Sequence, residues 1–145
     1  MFKIFEIFGS SKTKEIRKML QVGLANAVLS AGEQASSGDA MLVEVASTLT
    51  KNWLKTLPAE ATDNCQPSVL AAYILVAESQ VSIGNGNQIN ANLYIDAAKL
   101  LVDGIGFRMA AGNVHDAEIT LLTIMAKIAK KNGLDFYSEI LEITG

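Results

Sequence analysis

NANLYIDAAKLLVDGIGFRMAA, residues 90–111, carries four polar side chains, Asn92, Asp96, Lys99 and Asp103, spaced three or four positions apart. On an α-helix they share one narrow face. Between them stand Leu93, Tyr94, Ile95, Ala97, Ala98, Leu100, Leu101 and Val102, with Ile105 and Phe107 beyond. A helix with so thin a polar stripe must be covered by several neighbours, so this stretch is expected to be the central helix of an α-helical domain. Gly104 and Gly106 mark a kink or a close backbone contact within it, because each interior glycine costs about 1 kcal/mol relative to alanine.

Downstream, Asn113 is expected to cap a helix over 114–131. Ala117, Leu121, Leu122, Ile124, Met125, Ile128 and Ala129 form its apolar face, and Asn132-Gly133 closes it as a left-handed cap. Asp135 then opens a short C-terminal helix with Phe136, Tyr137, Ile140 and Leu141.

Upstream, Gly84-Asn85-Gly86-Asn87 is a turn, with Asn87 or Asn90 capping the helix that follows. The apolar run Val69 to Ala77 predicts a helix buried nearly all round, with Pro67 in its first turn. Residues 58–66, PAEATDNCQ, are expected to be the one clear loop. Before them, Leu42, Val45, Ala46, Leu49, Trp53 and Leu57 define a cleanly amphipathic helix. A helix from about Lys12 repeats small residues every fourth position, at Gly23, Ala27, Ala31 and Ala35, which lets another helix approach closely.

No alternation is long enough for a sheet, and no repeat has a fixed period. The expected architecture is all-α: a compact single-domain bundle of five main helices plus a short C-terminal helix over 12–145, preceded by an apolar and basic segment at 1–11. At 145 residues, such a chain can bury a core without staples. A single cysteine, Cys65, excludes an internal disulfide and a multi-cysteine zinc site. No secretory leader pattern is read in Met1 to Phe8, and the strictly apolar run at 69–77 falls well short of the ~18 residues a membrane span needs. The expectation is a cytoplasmic protein.

Charge excludes more than it assigns. The net charge of −3 lacks the positive field that phosphate backbones require, so nucleic acid is not an expected partner. Five basic and two acidic residues within 1–18 give that segment +3, leaving −6 on the remaining 127 residues. Phe2, Phe5 and Phe8 recur every third position there. They predict docking on the domain or on a second subunit; together with Lys12, Lys14, Arg17 and Lys18 they could instead anchor the chain at an anionic membrane surface.

Chemistry-bearing residues are few. His115 and Glu118 share a helix face, but four metal ligands cannot be assembled around them, and no metal or other cofactor is expected. Glu78 and Glu118 stand out as carboxylates in apolar settings, where a raised pKa can serve acid catalysis; a structural ion pair, with Arg108 as one candidate, is the plainer role. Cys65 stands before a helix N-terminus, which could lower its pKa, and would form a dyad with His115 only if the fold brought them together. The leading expectation is therefore a non-catalytic protein-interaction module that binds a partner protein, a second copy included. Its contact surfaces would be Phe2, Phe5, Phe8, Phe136, Tyr137, Ile140 and Leu141. A membrane-surface protein or a small-ligand or metal-binding bundle built on Glu78, Glu118 and His115 are the alternatives.

Overall fold

The protein is all-α. A computed structural model describes residues 11–33, 39–134 and 136, and among them the chain forms seven α-helices and no strand. These are α1 (Ser11–Ser30), α2 (Ala40–Trp53), α3 (Ala59–Asn64), α4 (Pro67–Gly84), α5 (Gln88–Leu101), α6 (Ile105–Ala110) and α7 (Asp116–Lys131), with a 3-10 turn at Leu54–Thr56 after α2. Five of them are long. The expected C-terminal helix lies outside the described residues.

The central element is α4, not the stretch at 90–111. It packs against α5, α1, α7 and α2, whereas α5 lies chiefly against α4 and α1. Val69, Leu70, Ala71, Ala72, Ile74, Leu75, Val76 and Ala77 are all buried, so the helix has almost no solvent face over its first half. By length and composition α4 could cross a membrane, a property the strictly apolar run alone did not reveal; more than half of it is enclosed by the other helices, as a core helix requires.

The 90–111 stretch is two helices. α5 ends at Leu101, and Gly104 adopts φ 85°, a left-handed conformation only glycine takes at no steric cost. The chain turns there and restarts as α6. Release from the α5 helix axis leaves Phe107 84% exposed, and Leu100, still within α5, is exposed too, although both read as covered in the sequence. The polar stripe survives, with Asn92, Asp96 and Asp103 in solvent.

Glycine also sets the approach of α1 to α5. A Cβ on Gly23 would stand 2.9 Å from Leu101 Cγ and 3.3 Å from the Ala97 carbonyl oxygen. The stripe of small residues thus serves packing within the chain, through Gly23 and the buried Ala27; Ala31 is exposed and Ala35 lies outside the described residues.

Two local expectations need correction. Residues 58–66 are not all loop: Pro58 stands at the N-cap of α3, Ala59 to Ala61 favour helix, and burial of Ala61 holds the turn in place. Asn113 does not cap α7. Gly112 turns left-handed at φ 73°, Asn113 hydrogen bonds with Arg108, and the chain extends to His115, which becomes the N-cap. Asn87 caps α5 through a 3.0 Å bond from the Asn90 N–H, and Asn132-Gly133 ends α7 with Gly133 at φ 69°, both as expected.

Candidate functional site

Two carboxylates organise the polar interior, and their environments differ. Glu118 is only 2% exposed. Its Oε1 accepts from Arg108 Nη2 at 2.8 Å and from the His115 backbone N–H at 3.4 Å, and its Oε2 accepts from the Gln66 backbone N–H at 3.0 Å. Gln66 is the N-cap of α4 and His115 the N-cap of α7, so one negative charge sits at the positive ends of two helices. Arg108 brings α6 into the same knot. The carboxylate is therefore fully engaged, and its role is to fasten three elements.

His115 turns its ring to a structural task. Nδ1 accepts from the Ala117 N–H at 3.0 Å, completing a reciprocal cap with Glu118. His115 and Glu118 meet through the histidine backbone rather than through its ring.

Cys65, buried just before α4, is the reverse of an activated thiol. Burial pushes its pKa up to about 11, the Glu118 charge adds to the rise, and Lys12 offsets part of it. The lowering that a nearby helix N-terminus could bring is outweighed because this thiol is out of water and beside an anion.

Glu78 stands elsewhere. It lies twelve residues along from Gln66, roughly 18 Å of helical rise away from the Glu118 knot. Glu78, Glu118 and His115 therefore do not converge, and a site built on all three has no geometric basis. Glu78 Oε2 accepts from the Trp53 indole N–H at 2.8 Å. Glu78 also lines a groove of about 270 Å³ with Met41, Glu44, Val45, Thr48, Leu49, Asn52 and Tyr94. Tyr94 has its pKa raised, first by burial and then by the charge of Glu78. The groove was missed in the sequence, where Met41, Val45, Thr48 and Asn52 could have signalled it as one face of α2 bordering the apolar stripe.

The remaining expected site residues are scattered. Phe136 is buried in the core, which removes it as a contact surface. Lys14 and Lys18 are exposed one turn apart on α1, while Lys12 and Arg17 are partly buried. Phe2, Phe5, Phe8, Tyr137, Ile140 and Leu141 lie outside the described residues. Among the described residues, no three His, Cys, Asp or Glu side chains gather as metal ligands would. No family model, curated protein or solved structure matches this chain.

Proposed function

We propose that this chain acts as a non-catalytic protein-interaction module, and that its first partner is a second copy of itself. The observation that carries the reading is the presentation of Phe107. This aromatic side chain is 84% exposed on the short helix α6. Gly104 precedes that helix, and Arg108, next to Phe107, ties it to Glu118 and Asn113. A large apolar group presented to water on a backbone anchored beside it offers surface that a partner can cover, which is the character of an interface anchor. Ile89 at 82% and Met41 at 75% exposure add apolar surface beyond what the core needs.

Light scattering of the purified chain tests this. Self-association predicts a mass above 15.5 kDa that rises with concentration, and Phe107→Lys should return it to 15.5 kDa without loss of helicity. A 15.5 kDa mass at every concentration, or association indifferent to Phe107→Lys, rejects the proposal.

A further inference from the structure

The two interior carboxylates differ in one respect that points to a ligand. Glu118 comes with its own guanidinium, at 2.8 Å from Arg108. Glu78 does not: its partner is the neutral indole N–H of Trp53, and none of the residues lining its groove is basic. Glu78 is only partly buried, but the groove lining holds two carboxylates, Glu44 and Glu78, and no basic residue, so its field favours a positive charge. The groove has the room for one. Its volume of about 270 Å³ equals that of several water molecules, at about 30 Å³ each. Met41, Val45 and Leu49 give it an apolar wall, and Tyr94 supplies an aromatic ring and a hydroxyl.

We propose that this groove binds a primary alkylammonium group, with the charge on Glu78 and the alkyl stem along Met41, Val45 and Leu49. The hydrogen bonding of Glu78 selects ammonium over guanidinium. Trp53 occupies Oε2, which leaves Oε1 as the open acceptor. A guanidinium is bound best by both oxygens of a carboxylate at once, whereas an ammonium is a point charge with three freely directed donors. One donor meets Glu78 Oε1, and Tyr94, Thr48 or Asn52 can take the others. The Tyr94 ring adds a cation–π contribution. A divalent metal is disfavoured because the described residues gather no three His, Cys, Asp or Glu side chains, and the groove offers only two carboxylates, Glu44 and Glu78. The ammonium can belong to a free amine or to a lysine side chain of a protein. This proposal is independent of the Phe107 contact and stands or falls separately from it.

Trp53, the single tryptophan, reports on the site because it shares the Glu78 carboxylate. The experiment titrates the full chain with n-pentylamine, Nα-acetyl-lysine methylamide and Nα-acetyl-arginine methylamide. It follows Trp53 fluorescence and the Trp53 indole N–H resonance. Saturable binding of pentylamine is expected with half-saturation near or below ~1 mM, weakening with added salt. Equal binding of the lysine derivative assigns the ammonium to a lysine side chain, and its failure beside pentylamine assigns it to a free amine. Glu78→Gln keeps an acceptor for the indole while removing the charge, and should weaken binding at least tenfold. Met41→Lys, at an exposed position that tolerates a polar side chain, should place an internal competitor in the groove and weaken binding likewise. No saturable response to pentylamine or to the lysine derivative overturns the proposal. So does unchanged binding in either variant, or binding of the arginine derivative as tight as that of the other two.

Discussion

Arg108 Nη2 stands 2.8 Å from Glu118 Oε1, linking α6 to the first turn of α7 across the bend at Gly112. The pair is unequal: Arg108 is 27% exposed and Glu118 2%. Removing the arginine leaves a buried anion held by two backbone N–H groups. Removing the glutamate strands those same donors. Arg108→Ala and Glu118→Ala should each cost about 3 kcal/mol in urea denaturation. The double variant should cost clearly less than the two together, because each change removes the same interaction. Strict additivity would show that the knot is not a unit.

Cys65 makes stability fall in alkali. Its thiol ionises near 9.0 in an ordinary setting and at about 11 in the folded chain. Between those values the folded chain keeps a proton that the unfolded chain has released, so rising pH favours unfolding. The contribution is complete below pH 9 and is lost progressively towards pH 11. Tyr94, raised above 10.0, acts with the same sign. Urea denaturation across this window should show stability declining, and Cys65→Ala should flatten part of the decline. At pH near 8, a thiol reagent should label the native chain no faster than it opens. Rapid labelling of the native chain would contradict the buried, protonated thiol.

The helices were legible where one residue decides a local question. Pro67 and Asn87 cap and start helices by side-chain and ring geometry alone, and both do so as read. What could not be read is what depends on contacts across the fold. A run apolar on all sides, 69–77, is compatible with several positions in a bundle, so the central role of α4 emerged only from its packing. Gly104 announced a weakness, but a kink within one helix and a left-handed turn that ends it share the same sequence signal. Glu78 and Glu118 looked alike along the chain. Their partners, Trp53 twenty-five residues away and Gln66 fifty-two away, separate them, and no local pattern encodes such distances.

Gly23 tests the approach of α1 to α5. Alanine there gains about 1 kcal/mol of helix propensity and meets Leu101 Cγ at 2.9 Å. Leu101 is only partly buried and can yield, so the two effects should nearly cancel and Gly23→Ala should change stability by less than about 1 kcal/mol. Valine gains far less propensity, and its γ-carbons approach the Ala97 carbonyl, a backbone atom that cannot move aside. Gly23→Val should therefore cost about 2–3 kcal/mol by thermal or urea melts. A valine variant as stable as the native chain would mean that the helices are further apart than described.

Trp53 separates packing from hydrogen bonding. The indole rests against the core and donates to Glu78 at 2.8 Å. Phenylalanine keeps most of the ring contact and loses the donor, so Trp53→Phe should cost about 1 kcal/mol, below the usual range for a bond to a charged group because water can reach the half-buried carboxylate. Alanine also loses the ring, and Trp53→Ala should cost about 3 kcal/mol or more, read by circular dichroism during denaturation. The phenylalanine variant has a second consequence. It frees Glu78 Oε2, so both carboxylate oxygens become open to a ligand and the geometric bias against a guanidinium disappears. Nα-acetyl-arginine methylamide should then bind the variant more tightly than the native chain, measured through the Tyr94 side-chain resonances. A preference unchanged by Trp53→Phe would mean that the indole does not set the selectivity of the groove.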